Sequence, residues 1–316
     1  MDIGAPLRAF DRIQRSRPWL AIPVALGKRF GESGAGGLAA AIAYYGFFSL
    51  FPLLFVLSSI TGLALRDHPD LQKSVLDSAL AQLPVVGAEI RGNVRSIQGS
   101  GVAVAVGLLL ATWAGLGAIR ATQVAMDTVW DVPRKRRPGA LVSIGLALAM
   151  LAMLGVFVLV AGAIAGVTTT AGPAGSAIGL VASLALNVAV FLLAYRVLTR
   201  ADIGWRAVAP GAALAGIGWT LLLAVGARIV SGRIASSENM YGTFAVVIGL
   251  LGWIYLAAQT ALLGAVLNPV LSDRLWPRSL TGGPTSADRG ALRRSALQEE
   301  RRPEESVDVT FDKVER

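Results

Sequence analysis

The sequence predicts an all-α integral membrane protein with six membrane-spanning helices. Of its 316 residues, 54% are hydrophobic and only 16% are charged, and the mean hydropathy is +0.61. An average soluble domain has about 25% charged residues and could not bury this apolar excess. The apolar residues also come in runs long enough to cross a bilayer, so we count spans rather than soluble domains.

Six apolar runs mark the expected spans. About 20 helical residues are needed to cross ~30 Å of hydrocarbon. The expected spans are 38–65, 101–119, 140–167, 176–197, 207–227 and 242–271, within a membrane domain of residues 38–272. We expect a kink at Pro52 in the first span, because proline lacks a backbone donor.

Polar segments flank the spans. Residues 1–37 mix Arg with Leu, Phe, Ile and Trp, which predicts a basic amphipathic segment on the membrane surface, with a disordered tail as the alternative. Residues 66–99 show two short amphipathic helical patterns. Residues 273–316 are charged and rich in Ser, Gly and Pro, which predicts a disordered cytoplasmic tail.

Lys and Arg are distributed unevenly between the two sides of the membrane. Of 29 such residues, 23 lie before residue 38, in 120–139, in 196–206 and in the C-terminal tail. The positive-inside rule therefore places both termini in the cytoplasm. Binding of nucleic acid would need a basic patch on one surface. Because the Lys and Arg residues instead lie between and outside the apolar runs, the net charge of +9 does not indicate a nucleic-acid partner.

The composition gives little support for catalysis. Without cysteine, the chain has no disulfide, thiolate nucleophile or Cys-ligated metal. His68 lies beside Asp67 and Asp70, and a solvated loop histidine is favoured over a metal site because a second nitrogen ligand is missing. No predicted span has a charge in its central part, as ion-coupled pumps usually do. We therefore expect no enzyme activity, cofactor or metal.

Membrane lipids of the anionic leaflet are the expected partners. Basic residues near the predicted cytoplasmic helix ends are candidates to hold their head groups. These candidates are Arg134, Lys135, Arg136, Arg137, Arg196, Arg200 and Arg206. Small residues four apart, such as Ala212 and Gly216, favour close helix packing and are compatible with a homo-oligomer.

Four segments resemble the YihY/BrkB family of bacterial inner-membrane proteins. They are AAIAYYGFFSLFPLLF in the first span, AMDTVW after the second, WRAVAPG at the start of the fifth, and YGTF, WIYL and LLGAVLN in the sixth. Within or beside these motifs lie candidate packing or path residues: Tyr44, Tyr45, Pro52, Asp127, Trp130, Pro210, Gly211, Tyr241, Gly242, Trp253, Tyr255 and Asn268.

The resemblance implies six membrane helices and a bacterial inner-membrane location, but not one biochemical function. Relatives usually have an acidic residue where this chain has Val266, and often have Asn where it has Asp127. The leading hypothesis is transport or flipping of an envelope lipid or other amphiphile. The alternative is a non-catalytic scaffold for envelope proteins. A ribonuclease, another label given to the family, ranks third because no cluster of His, Asp and Glu suits catalytic metals.

Overall fold

The computed structural model is built from helices throughout the part of the chain that it describes. It describes residues 4–64, 101–137, 139–169, 172–199, 203–233 and 242–311. The helices are α1 (Gly4–Ser16), α2 (Pro18–Glu32), α3 (Ala35–Ala64), α4 (Gly101–Val129), α5 (Ala140–Thr169), α6 (Gly172–Leu198), α7 (Trp205–Arg233), α8 (Gly242–Ser272) and α9 (Ser286–Ala296). Short 3₁₀ turns cover Arg134–Arg136 and Leu297–Glu299. The two amphipathic helices predicted in 66–99 lie outside the described residues.

Helices α3 to α8 are each 27 to 31 residues long. Among the described residues, four stretches are long and apolar enough to cross a membrane: Leu141–Ala161, Ala177–Leu198, Trp205–Gly226 and Val247–Ser272. The start of α3, Ala35–Leu50, is a shorter apolar stretch. The all-helical membrane class is thus confirmed, whereas the count of six spans and the side of the termini stay predictions.

The long helices pack around one buried core. Helix α3 contacts α4 and α8, α7 contacts α6 and α8, and α5 contacts α6. The core draws residues from each helix from α2 to α8 and includes Met126, Tyr195 and Leu262. Helix α2 packs on α8 and thereby joins the N-terminal segment to the bundle.

Helices α7 and α8 touch at two glycines. A Cβ atom on Gly211 would lie 2.1 Å from the carbonyl oxygen of Gly264, and one on Gly264 would lie 2.7 Å from the hydroxyl of Tyr195. The backbone N–H of Gly211 donates to Oδ1 of Asn268 at 2.7 Å. Glycine is required on both helices because any side chain would push the backbones apart.

The small residues that could have served an oligomer also pack within the chain. A Cβ on Gly216 of α7 would lie 2.6 Å from the side chain of Val188 on α6. Ala212 of α7 and Ala265 of α8 are fully buried. These stripes therefore hold α6, α7 and α8 together, and a homo-oligomer stays a prediction.

The segment that follows α8 is folded through residue 311, so the prediction of a disordered tail is wrong for these residues. Helix α9 begins with a capping box formed by Thr285 and Asp288. Arg278 is buried and pairs with Asp288 at 2.7 Å and with Glu32 of α2 at 2.5 Å. Composition suggested disorder because it counts charges but does not show that they pair with charges far away in the sequence.

The N-terminal segment is helical over α1 and α2, and its place on the membrane surface stays a prediction. In α1, Asp11 accepts hydrogen bonds from the backbone N–H groups of Leu280 at 3.0 Å and Thr281 at 3.3 Å. The side chain of Gln14 donates to the carbonyl oxygen of Arg278 at 2.7 Å. We call α1, α2 and residues 273–311 together the polar assembly.

Candidate functional site

A groove of about 950 Å³ lies between the first half of α3 and the second half of α4. On each helix the lining residues recur three or four apart, so each helix presents one face. The groove is lined by Leu38, Ala41, Tyr44, Tyr45, Phe48, Trp113, Leu116, Gly117, Arg120, Ala121 and Val124.

Four aromatic side chains line this groove: Tyr44, Tyr45, Phe48 and Trp113. Tyr44 is 56% exposed, Phe48 54% and Trp113 77%, although all three are large and largely apolar. The ring of Tyr44 packs edge-on against Tyr45 at 5.3 Å and against Phe48 at 4.9 Å between ring centroids. Large exposed apolar side chains in a membrane protein are positioned for contact with lipid chains or with a bound amphiphile.

Gly117 sets how closely the two helices approach at the groove. A Cβ atom there would lie 2.9 Å from the ring of Tyr45. The absence of a side chain therefore lets the Tyr45 ring pack directly on the backbone of α4. The floor of the groove is shaped by this contact.

Arg120 supplies a positive charge to the groove. It is exposed and comes directly after the apolar run 101–119. No ion-pair or hydrogen-bond partner is present for it among the described residues. A guanidinium offers five donors in a planar arrangement that fits carboxylate or phosphate oxygens. The groove therefore combines an apolar wall with an anion-binding group that has no partner in the described part of the chain.

The sequence did not predict Arg120 as a site residue. Arg120 follows the apolar run 101–119, so its charge was assigned to the loop 120–139. The signal that could have found it is helical spacing. Trp113, Gly117, Arg120 and Val124 lie four, three and four residues apart, and they continue one face of α4 past the end of the predicted span. Tyr44 and Tyr45 are predicted packing or path residues, and the structure brings them together with Arg120.

Several of the other candidate packing or path residues are buried in the bundle. Asp127 and Trp130 are each 4% exposed at the end of α4. Trp253 is 6% exposed and packs with Leu250 in a second buried cluster. Tyr255 is partly buried against the main core.

The remaining motif residues lie in α3, α7 and α8 or outside the description. Pro210 lies inside α7, next to the Gly211 that bonds to Asn268. Helix α3 continues through Pro52, and the kink expected there stays a prediction. Gly242 is the first residue of α8. Tyr241 lies outside the described residues.

The basic cluster after α4 is divided between protein contacts and solvent. Nζ of Lys135 lies 2.8 Å from the carboxylate of Glu300, so this lysine holds the C-terminal segment. Nε of Arg137 donates to the carbonyl oxygen of Val132 at 3.4 Å. Arg134 and Arg136 are exposed.

The second basic cluster is similarly divided. The guanidinium of Arg196 lies 5.9 Å from the ring centre of Trp205, in a cation–π arrangement. Arg206 is exposed. Arg200 lies outside the described residues. Of the two described arginines, Arg196 and Arg206, neither lines the groove.

A buried ion pair attaches the polar assembly to the end of α4. The guanidinium of Arg29 contacts the carboxylate of Asp131, and both side chains are 1% exposed. Arg29 also donates to the carbonyl oxygen of Val129 at 3.1 Å, and Gln298 donates to Asp131 at 2.7 Å. Burial raises the pKa of Asp131, while the charge of Arg29 acts in the opposite direction.

Comparison with known proteins assigns the family. The family model described as "Virulence factor BrkB" matches residues 26–288. The chain belongs to the virulence factor BrkB family. The BrkB match extends past α8 and includes Arg278 and Asp288, which join the start of the C-terminal segment to α2. This part of the polar assembly therefore belongs to the family region.

Two curated proteins are distantly similar to this chain. This chain is 25% identical over 276 residues to the inner membrane protein YhjD of Escherichia coli (strain K12), covering 80% of this chain and 81% of YhjD. It is also 25% identical over 248 residues to the ribonuclease-like protein YfkH of Bacillus subtilis (strain 168), covering 75% and 90%. No solved structure matches this chain.

Proposed function

We propose that this BrkB-family chain transports or flips an anionic amphiphile, such as an envelope lipid, in the bacterial inner membrane. The observation that carries the proposal is the groove between α3 and α4. It has an exposed aromatic wall and an arginine that is unpaired among the described residues. An apolar tail fits the wall, and an anionic head group fits Arg120.

The head group supplies the selectivity in this proposal. Lipid tails are as apolar as the groove, so moving a tail from bilayer to groove gains little hydrophobic energy. A hydrogen bond to a charged group contributes about 1.5–3 kcal/mol, which corresponds to roughly tenfold to hundredfold in affinity. Arg120 should therefore distinguish anionic from neutral amphiphiles, while the rings accept many tails.

The proposal includes six spans with both termini in the cytoplasm. Helices α3 and α4 are 30 and 29 residues long, which is enough to cross the membrane. Together with the four apolar stretches they would make six spans. The excess of Lys and Arg in alternate connections supports this orientation. The inner membrane is supported by the name of the relative YhjD.

Lipid translocation in proteoliposomes tests the function. We expect the wild-type protein to accelerate the movement of a fluorescent phosphatidylglycerol between leaflets, as measured by dithionite quenching. Arg120→Gln should slow this movement about tenfold or more, since it removes a charged hydrogen-bond donor. It should leave the slower movement of fluorescent phosphatidylcholine unchanged.

The matched control is Arg302→Gln, the same change at an exposed arginine of the C-terminal segment. It should behave as the wild type for both lipids. Equal translocation in empty and protein-containing vesicles, for every anionic amphiphile tried, would refute the transport function. Normal phosphatidylglycerol translocation by Arg120→Gln would refute the role of the groove.

The name of the relative YfkH gives the alternative of a ribonuclease. Among the described residues, no three His, Cys, Asp or Glu side chains form a group that could hold a metal ion. Purified protein that degrades RNA in the presence of Mg²⁺, and loses that activity with EDTA, would favour this alternative over transport.

A further inference from the structure

Helix α1 carries an exposed apolar stripe. Leu7 is 45% exposed, Phe10 40% and Ile13 50%, although all three belong to types that usually lie inside proteins. They are three residues apart, so they follow one side of the helix. Trp19, near the start of α2, is 65% exposed. Within the described part of the chain, these side chains are left largely uncovered.

The contacts of α1 and α2 place this stripe where the long apolar helices end. Arg29 of α2 donates to the carbonyl oxygen of Val129, the last residue of α4. Gln14 of α1 donates to the carbonyl oxygen of Arg278, six residues after the end of α8. The N-terminal helices therefore lie at the end of the bundle where α4 and α8 leave the predicted spans 101–119 and 242–271.

The polar contacts of α1 also fix its rotation. Asp11 and Gln14 are buried against residues 278–281, so α1 cannot turn its stripe into the polar assembly without breaking these bonds. Arg12 is exposed and lies two residues from Phe10, which places it on the other side of the helix. Arg17 is exposed in the extended link between α1 and α2, between Ile13 and Trp19 in the sequence.

We propose that the stripe of α1, together with Trp19 and Arg17, docks on the anionic surface of the membrane that holds the long helices. Apolar side chains enter the boundary between head groups and tails, and the arginine binds lipid phosphates. An arginine near an anionic surface is attracted to it, so the docking depends on the lipid composition. It does not depend on transport through the groove.

Spin labels on single cysteines test the docking in the full-length protein, since the chain has no native cysteine. Phe10→Cys is labelled on the stripe and Arg12→Cys on the opposite side as the matched control. In nanodiscs with half phosphatidylglycerol, the label at 10 should collide mainly with oxygen, and the label at 12 mainly with a water-soluble nickel chelate. Pure phosphatidylcholine or Arg17→Gln should shift the label at 10 towards the chelate.

Three results would overturn the proposal. The first is free access of the chelate to the label at 10 in both lipid compositions. The second is exclusion of both reagents, which would indicate that protein, such as a second copy of this chain, covers the stripe. The third is a depth that does not change with phosphatidylglycerol content. Unchanged unfolding temperatures of the labelled proteins would show that the label has not disturbed the fold.

Discussion

Asp131 combines a backbone role with an electrostatic one. Its φ of 52° lies in the left-handed region, where it closes α4. The N–H of Val132 bonds to the carbonyl of Asp127 at 2.8 Å, and that of Asp131 to the carbonyl of Thr128 at 3.2 Å, which is the pattern of a Schellman motif. Glycine is the usual residue there. Aspartate is needed at this position because its carboxylate is the counter-charge of the buried Arg29.

The variant Asp131→Asn tests the charge separately from the backbone, because asparagine also tolerates the left-handed region. We expect it to destabilise the protein by about 3–5 kcal/mol, the typical cost of leaving one member of a buried ion pair alone. Thermal unfolding in detergent measures this loss. Adding Arg29→Met should recover part of the stability, and an unchanged unfolding temperature for Asp131→Asn alone would contradict the assigned role.

Single residues were predictable where a motif or a long apolar run surrounds them. Tyr44 and Tyr45 came from such a motif and do line the groove. Arg29 and Asp131 were not predictable as a pair, because 102 positions separate them and only the packing of α2 on the bundle brings them together. Lys135 was predicted to contact lipid head groups, but it pairs with Glu300. This pair was also not predictable, because the two residues lie far apart in the sequence.

At the scale of helices, α7 and α8 approach most closely where both carry glycine. In a membrane, helices gain no hydrophobic energy from leaving lipid, so close backbone contact and hydrogen bonds must hold them together. The bond from the backbone of Gly211 to Asn268 is of this kind. Tyr195 of α6 adds a bond from its hydroxyl to the carbonyl oxygen of Ala261 at 2.5 Å.

Gly211→Ala should therefore separate α7 from α8 and destabilise the protein by about 1–3 kcal/mol, the usual cost of overpacking. The matched control is Gly252→Ala in α8, where a Cβ would have no neighbour within 4 Å. This control should keep or slightly raise stability, because alanine favours helix more than glycine does. Unfolding temperatures measure both, and equal values for the two variants would contradict the close crossing.

A helix could be predicted from the sequence where the pattern that marks it lies within the helix itself. A run of apolar residues predicts a membrane helix without knowledge of its neighbours, and the stretches in α5 to α8 were found in this way. Helix α9 has a capping box as a local signal, but its charged composition favoured disorder. Its folding depends on Lys28 and Arg278 pairing with Asp288, a set that no local pattern reveals.

For the molecule as a whole, the polar assembly limits where the termini can lie. Residues near both ends of the chain bind to each other, as Asp11 does with Leu280 and Thr281, so the two segments must lie on the same side of the membrane. An even number of crossings between α2 and α9 is then required. The even number follows from the contacts between the two segments and not from the charge distribution, and six spans satisfy it.

The topology can be tested in the full-length chain, whose lack of cysteine allows single cysteines to be placed at will. Truncated reporter fusions would remove the C-terminal segment that packs against α2. A membrane-impermeant maleimide added to intact spheroplasts should label cysteines only in the external connections. We expect labelling at positions 77, 172 and 236, and none at positions 136, 200 and 274 until the membrane is broken. One reversed position would revise a single span. Lys135, next to position 136, pairs with Glu300 in the segment that follows position 274. Positions 136 and 274 must therefore lie on the same side of the membrane. Labelling of one of them from outside, but not of the other, would contradict the polar assembly.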